Sequence, residues 1–155
     1  MKFRQKFCAN LLVVLASIFY TTLAQATLGG DSASVRADEQ ALVASDAGTV
    51  ILNQYSIQTF LVGTLVVKEF ISLDGKVFAI AWEGRRHPSL KVLLGSYFAD
   101  FQKSRVKSKK LHTRGAHSVK GAQIVLETWG NMRKLQGHAY LPSLLPQNVG
   151  ADEIK

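Results

Sequence analysis

The chain has 155 residues, the length of one ordinary domain, and it carries a net charge of +8. Its one cysteine, Cys8, lies close to the N-terminus. Because the rest of the chain has no cysteine, it cannot form disulfides, use thiolate chemistry or build cysteine-based metal sites. Its stability has to come from a packed core.

The first 26 residues have the order of regions found in a secretory signal peptide. Lys2, Arg4 and Lys6 are basic, residues 7–23 are uncharged and mostly apolar, and Ala24-Gln25-Ala26 offers small residues to a signal peptidase. An uncleaved membrane anchor is the alternative, although about 17 uncharged residues lie at the lower limit for spanning a bilayer. We expect cleavage near Ala26, a periplasmic or secreted location, and a single domain over residues 27–155 with no transmembrane segment.

Three runs with strand character follow between Tyr55 and Trp82. Residues of opposite polarity alternate from Tyr55 to Leu61, and two further runs, Thr64–Ser72 and Lys76–Trp82, flank Asp74-Gly75. Asp-Gly is typical of a two-residue hairpin loop with a type I′ turn. The sequence thus predicts a meander of three strands.

The two-residue loop fixes the pairing within this hairpin. The predicted pairs are Ile71 with Phe78, Glu69 with Ile80, and Val67 with Trp82. One face is then strongly apolar and needs a covering element; it consists of Leu65, Val67, Ile71, Phe78, Ile80 and Trp82. The other face is smaller and mixed; it consists of Val66, Lys68, Phe70, Ala79 and Ala81.

A helix predicted over Ser89–Gln102 supplies the cover. Its apolar residues recur at helical spacing and form one stripe: Leu90, Leu93, Leu94, Tyr97, Phe98 and Phe101. Pro88 and Ser89 suit a helix start. Gly95 inside the helix costs about 1 kcal/mol relative to alanine.

A second hairpin is predicted near the C-terminus. Its strands are Ala122–Trp129 and Met132–Ala139, joined by a type II′ turn at Gly130-Asn131. This register gives two facing pairs, Leu126 with Leu135 and Glu127 with Lys134. The run Leu141–Pro146 is then extended and covers an edge.

The predicted fold class is α+β. It has about five antiparallel strands, as a three-strand meander plus a C-terminal hairpin, and one amphipathic helix packed on one face.

An apolar run ends at Trp82, and Glu83, Arg85, Arg86 and His87 follow closely, which raises the question of an active site. We interpret them as a solvated strand-to-helix loop, because catalysis needs an acid and a base that converge on a cleft. The sequence contains no G-x-S-x-G, no HExxH and no glycine-rich phosphate loop after a strand. It therefore predicts no catalytic residue, no metal site and no cofactor.

The strongest electrostatic feature is a basic linker segment, residues 103–120, between the helix and the second hairpin. Its seven basic residues, with no acidic one among them, are Lys103, Arg105, Lys107, Lys109, Lys110, Arg114 and Lys120. The segment lacks aromatic residues, so specific nucleic-acid recognition by base stacking is not predicted. Its charges favour contact with anionic envelope components such as lipid headgroups, lipopolysaccharide or acidic glycans. A solvated loop is the alternative.

Glu69 falls on the face assigned to the core, where an unpaired carboxylate is costly. Three explanations remain open: a wet rim, a bulge that turns the side chain outward, and a partly buried ion pair. Arg133 is the predicted partner, because the second hairpin's register places it on an apolar face beside Leu135.

Five motifs occur in order along the chain: LGG (Leu28–Gly30), SVRAD (Ser34–Asp38), VVKEFISLDGKVFAIAWEG (Val66–Gly84), LLGSYF (Leu93–Phe98) and NMRKLQGHAYLPSLLP (Asn131–Pro146). Together they resemble DUF2844, a bacterial family of uncharacterised exported proteins, over nearly all of residues 27–155. The resemblance implies a proteobacterial envelope protein, and it brings no activity or functional residue with it. The family pattern usually has a proline after the Gly84 position, where this chain has Arg85, so the resemblance implies no role for the loop's charges.

Three functional hypotheses follow. The first is a non-catalytic binding or accessory domain of the cell envelope. The second is a polyanion-binding module that acts through residues 103–120. The third is a hydrolase of unrecognised type.

Overall fold

A computed structural model shows one seven-stranded sheet with a helical layer on one face. It describes residues 28–31, 42–108, 116–131 and 133–155. The strands are β1 (Ser45–Ile51), β2 (Tyr55–Val62), β3 (Leu65–Ser72), β4 (Val77–Gly84), β5 (Ala116–Lys120), β6 (Val125–Asn131) and β7 (Lys134–Tyr140). Their order across the sheet is β1-β2-β3-β4-β7-β6-β5, and every neighbouring pair is antiparallel. The α+β class is confirmed, but five strands is an undercount.

The helical layer packs on the face that contains Val67 and Ile80. It consists of α1 (Leu90–Leu94), a 3-10 turn (Gly95–Tyr97) and α2 (Phe98–Ser108). The predicted apolar stripe is confirmed, since Leu93, Leu94 and Phe101 are buried.

The prediction of one continuous helix over Ser89–Gln102 is wrong. Gly95 adopts φ 45° and ψ −118°, outside the helical region, so the helix breaks there instead of carrying a glycine in its interior. The second piece continues to Ser108, inside the basic segment. Within the described residues, no helix is long and apolar enough to cross a membrane.

The β3–β4 hairpin has the predicted position but a longer loop. The Ser72 amide donates to the Lys76 carbonyl at 2.9 Å, and the Gly75 amide donates to the Ser72 carbonyl at 2.9 Å. Gly75 has φ 76°. This is the three-residue arrangement in which glycine takes the left-handed position, so the predicted two-residue loop is wrong.

A bulge at Phe78 follows from the longer loop. Two of the predicted pairs are confirmed, Glu69 with Ile80 and Val67 with Trp82. Ile71, however, pairs with Val77, and the extra residue turns Phe78 to the second face of the sheet. There its ring centroid lies 5.7 Å from that of Tyr55 and 6.1 Å from that of Phe70. The assignment of Phe78 to the helix-covered face is therefore wrong.

The second face is covered by residues 142–155, which we call the C-terminal segment. Val149 and Ile154 are buried there, in a cluster with Tyr55, Phe70 and Phe78. The segment contains two 3-10 turns, Pro142–Leu144 and Ala151–Glu153. The prediction that Leu141–Pro146 is extended along an edge is wrong, because this stretch turns and packs on a face.

The β6–β7 hairpin turns two residues later than predicted, since Asn131 pairs with Lys134. The Asn131 side-chain Oδ1 accepts the amides of Arg133 and Lys134 at 2.9 and 3.1 Å, a contact that favours a turn at this place. The predicted Leu126–Leu135 and Glu127–Lys134 pairs are wrong, because Leu126 pairs with Ala139 and Glu127 with His138. The register error is an even number of residues, so each side chain stays on its predicted face.

The LGG motif joins α1 to β4. The Leu28 amide donates to the Leu93 carbonyl at 3.0 Å, and the Gly29 amide donates to the Val77 carbonyl at 2.7 Å. Gly29 has φ 83°, and a Cβ there would lie 3.0 Å from the Tyr97 ring. The motif therefore has a structural role that a larger residue at position 29 does not fit.

Candidate ligand-binding groove

A groove of about 480 Å³ opens on the second face of the sheet, beside the C-terminal segment. Strands β3, β4, β6 and β7 contribute Val66, Lys68, Ala81, Glu83, Trp129 and Gln136 to its lining, and Lys155 lies at its edge. Strand pairing explains the assembly: the neighbouring pairs are Val66 with Glu83, Glu83 with Gln136, and Gln136 with Trp129. One row of side chains across four strands thus forms the groove.

The floor of the groove is apolar. Ala81 is 3% exposed, and its small side chain, paired with Lys68, leaves depth at the centre. Val66 is half-buried on the neighbouring strand. A concave, mainly apolar site of this volume lies in the range that holds small organic ligands.

Trp129 lines one side of the groove with its indole ring. Its Nε1–H donates to Gln136 Oε1 at 3.0 Å, and its ring centroid lies 5.2 Å from that of His138 in an edge-on arrangement. The polar contact and the ring contact together fix the orientation of the indole. A ligand therefore meets an aromatic surface that is already positioned.

Glu83 has both carboxylate oxygens engaged. Lys134 Nζ lies 3.0 Å from Oε1, and Gln136 Nε2 donates to Oε2 at 2.6 Å. These hydrogen bonds from Lys134 and Gln136 lower the pKa of Glu83, and the positive charges of Lys134 and Lys68 act in the same direction. The carboxylate is thus favoured in its ionised form, with one donor from the protein on each oxygen.

Lys68 presents an ammonium group to the groove. Its Nζ donates to the main-chain oxygen of Lys155 at 3.1 Å. An ammonium has three donors, and this bond occupies one of them.

His138 connects the groove region to the C-terminal segment. A carbonyl only accepts, so Nδ1–H of His138 donates to the Ile154 carbonyl, at 2.9 Å. On the other side of the ring, Nε2 lies 3.5 Å from Glu127 Oε2, and Ser118 Oγ donates to Glu127 Oε1 at 2.9 Å. The imidazole that supports Trp129 is thus held by the Ile154 carbonyl, whereas its Nε2 makes no hydrogen bond.

The lining of the groove supplies means of binding: an apolar floor, one aromatic surface, and a rim of amide and charged groups. Within the described part of the chain, no group of three His, Cys, Asp or Glu side chains is placed to hold a metal ion.

Comparison with protein families finds a match. The model of a family described as a protein of unknown function, DUF2844, matches residues 24–154. The chain belongs to the DUF2844 family. The assignment made from the five motifs is therefore confirmed. No curated protein and no solved structure matches the chain.

The predicted polyanion-contact residues of this DUF2844 protein lie only partly within the described residues. Lys103 and Arg105 are exposed on α2, and Lys120 is exposed on β5. Lys107 belongs to α2, whereas Lys109, Lys110 and Arg114 lie outside the described residues. The segment is more than a linker, because α2 enters it and β5 ends it. Contact with polyanions stays a prediction.

Glu69 is 1% exposed, so the wet-rim and outward-turned explanations are wrong. Glu69 pairs with Ile80 on β4, and Ile80 pairs with Ala139 on β7. Arg133 is exposed and precedes the start of β7, roughly 20 Å along the strand from Ala139. The predicted pair of Glu69 with Arg133 stays a prediction.

The loop after β4 is solvated, as predicted, since Arg85, Arg86 and His87 are all exposed. Glu83 is different, because it lies within β4, one residue before the end of the strand, and lines the groove.

Sequence reasoning missed Trp129 and Gln136, and it gave no role to Lys68. The available signal was the small, mixed face of the first hairpin, with a lysine beside two alanines. Small side chains on one face of a sheet leave a depression when the side chains around them are large.

Proposed function

We propose that this DUF2844 protein is an exported, non-catalytic binding domain of the bacterial envelope and that the groove is its binding site. The observation that carries the proposal is the groove itself, in which an apolar floor and a fixed indole lie beside a hydrogen-bonded rim. The signal-peptide pattern of residues 1–26 supports export.

The rim favours binding because its own polar groups are satisfied before a ligand arrives. Trp129 donates to Gln136, Gln136 donates to Glu83, and Lys134 pairs with Glu83. A ligand that enters the groove gains apolar contact without disrupting this chain of bonds. Preorganisation of this kind reduces the entropy cost of association.

Calorimetric titration with naphthamide, a neutral flat probe, tests the site. Val66→Phe places a ring over the floor and should weaken binding by at least about tenfold, which corresponds to 1.4 kcal/mol. The matched control is Val106→Phe, because Val106 is 66% exposed on α2, in the layer on the other face. Equal affinity for the wild type and Val66→Phe, or no saturable binding of any flat probe, would contradict the proposal.

Export has its own test. The protein should be recovered from the periplasm or medium with Thr27 as its first residue, which N-terminal sequencing shows directly. A chain that still starts near Met1 and sediments with membranes would instead indicate an anchor.

The exposure of Lys103, Arg105 and Lys120 favours a second candidate function, contact with anionic lipid headgroups, lipopolysaccharide or acidic glycans. Neutralising Lys107, Lys109, Lys110 and Arg114 should abolish retention on heparin or anionic vesicles and leave the unfolding midpoint nearly unchanged. Retention that survives these substitutions, or that does not respond to salt, rejects this function.

A further inference from the structure

The sheet has two outer edges among its described strands, β1 and β5. An unpaired edge presents backbone N–H and C=O groups that can pair with a further strand, and proteins commonly guard such edges with charged residues or a bulge. Charge guards β5, because Lys120 is exposed on it and the chain before it is basic. Strand β1, by contrast, has Asp46 as its one charged residue, and residues 47–52 are uncharged.

The two halves of β1 differ in how open they are to a partner. A bulge between Asp46 and Gly48 interrupts the first half, and Asp46 Oδ1 accepts the Gly48 amide at 2.8 Å. The second half continues its register with β2 without a further shift. Three consecutive apolar side chains are exposed here: Val50 at 55%, Ile51 at 83% and Leu52 at 41%. Single exposed apolar residues are ordinary, whereas a contiguous group of them indicates a contact surface.

The pairing with β2 determines which backbone groups of β1 point outward. The Leu52 amide donates to the Tyr55 carbonyl at 2.9 Å, and hydrogen-bonded pairs alternate along an antiparallel ladder. Val50, two residues before Leu52, therefore bonds to β2. The N–H and C=O groups of Thr49 and Ile51 point away from β2 and are directed to the open edge.

We propose that this edge pairs with the same edge of a second copy of the chain, in an antiparallel register centred on Val50. Thr49 of each copy then faces Ile51 of the other, and every outward N–H and C=O group of these two residues finds a partner. The two Val50 side chains meet at the two-fold axis as a close pair that is not hydrogen-bonded, with Cα atoms about 4.5 Å apart. The strand is thus its own complement, as a symmetric dimer contact requires.

Charge and side-chain shape favour a second copy at this edge. The chain carries a net charge of +8, so two copies repel each other over much of their surfaces, whereas residues 47–52 bring no charge into the contact. The β-branched pair of Thr49 with Ile51 suits neighbouring strands. Because the two-fold axis is perpendicular to the sheet, the second faces of both copies, with their grooves, lie on the same side of the joined sheet. The contact itself does not depend on the groove's function.

Sedimentation equilibrium of the purified protein tests the proposal. Small interfaces are transient, so we expect a monomer–dimer equilibrium with a dissociation constant on the order of 10 µM. Val50→Lys places two ammonium groups opposite each other and should raise this constant at least about tenfold. The matched control is Val106→Lys, which adds the same charge on α2, where Val106 is 66% exposed; it should change the constant by less than about twofold. A wild type that stays monomeric about tenfold above the expected constant, or equal effects of the two substitutions, would overturn the proposal.

Mixing two charge variants tests the register. Val50→Glu should also be monomeric by itself, because two carboxylates then face each other. An equimolar mixture of Val50→Lys and Val50→Glu should form a heterodimer, because the axis then holds an ion pair. Both variants should keep the unfolding midpoint of the wild type, since Val50 is exposed. A mixture that stays monomeric would overturn the register centred on Val50, and a monomeric wild type that captures an unrelated extended peptide at β1 would overturn pairing with a second copy.

Discussion

Tyr55 holds the C-terminal segment to the sheet with its hydroxyl group, which donates to Glu153 Oε2 at 3.3 Å. Burial raises the pKa of Tyr55, and the charge of Glu153 and the hydrogen bond to it raise this pKa further. Folding therefore favours the neutral phenol. When the pKa of a group is higher in the folded state than in the unfolded state, its contribution to stability is fully present at pH values below the unfolded-state pKa. For tyrosine the unfolded-state pKa is about 10.

The stability of the protein should accordingly fall as the pH rises through this region. We expect the wild type to lose unfolding free energy more steeply above about pH 10 than Tyr55→Phe, which has no proton to lose at this position. Urea denaturation at neutral and alkaline pH measures the difference. Tyr140→Phe should change the slope in the same direction, because burial and Glu127 raise the pKa of Tyr140. Parallel pH profiles for the wild type and Tyr55→Phe would show that this hydroxyl is not linked to folding.

Leu94 tests the helix-covered core. It is fully buried in the cluster formed by the helical layer and the sheet. Leu94→Ala should therefore lower the unfolding free energy by about 2–5 kcal/mol. Lys91→Ala, on the exposed side of the same helix, should change it by less than about 0.5 kcal/mol. Equal denaturation midpoints for the two variants would contradict the placement of α1.

The C-terminal segment depends on the sheet for its order. It contains only short 3-10 turns, Pro142–Leu144 and Ala151–Glu153, which supply few backbone hydrogen bonds of their own. Its fixed points are side chains, with Ile154 fully buried and Val149 buried on the second face. Its main-chain oxygens at Ile154 and Lys155 accept from His138 and Lys68. This element therefore forms one edge of the groove only while its apolar side chains stay docked.

Ile154→Ala should release part of this element. Removing a fully buried isoleucine costs about 2–5 kcal/mol, and amide hydrogen exchange should increase across residues 149–155. Lys155→Ala is the matched control, since its side chain is exposed and its main-chain oxygen remains available to Lys68. If the two variants have the same stability and the same exchange, the segment does not dock as described.

The sequence predicted the elements whose apolar residues form a recognisable pattern. The apolar stripe through Leu93, Leu94 and Phe101 located the helical layer, and alternation located β2. The strand-like runs on either side of Asp74-Gly75 located β3 and β4. Strand β1 was missed because all seven of its residues are exposed, so no alternation marks it. Strand β5 was missed because it lies among basic residues, and among its side chains from His117 to Lys120 Val119 is the buried one.

The groove was beyond sequence reasoning for a different reason. It depends on which residues face one another across four strands, and a turn placed two residues early displaces every pair of β6 and β7 by four. That error moved Gln136 away from Trp129 and placed Lys134 opposite Glu127 instead of near Glu83. An even error in register leaves each side chain on its predicted face, but it changes which residues are neighbours on adjacent strands.

The whole molecule has a buried cluster on each side of one sheet. The first contains Leu94 with Val67 and Ile80, and the second contains Ile154 with Phe70 and Phe78. Strands β3 and β4 supply alternate residues to both clusters. If these strands separate, the apolar side chains of both clusters become exposed to water. A sheet buried on both faces in this way should unfold as one cooperative unit.

This arrangement predicts the behaviour of a double variant. Leu94 and Ile154 lie on opposite sides of the sheet, with each layer about 10 Å from it, beyond the range at which substitutions normally couple. The loss of unfolding free energy in Leu94→Ala/Ile154→Ala should therefore equal the sum of the single losses within about 0.5 kcal/mol. Urea denaturation followed by circular dichroism and by tryptophan fluorescence should give one coincident transition for each single variant. Two separate transitions, with Ile154→Ala shifting only one of them, would show instead that the second face is an independently unfolding layer.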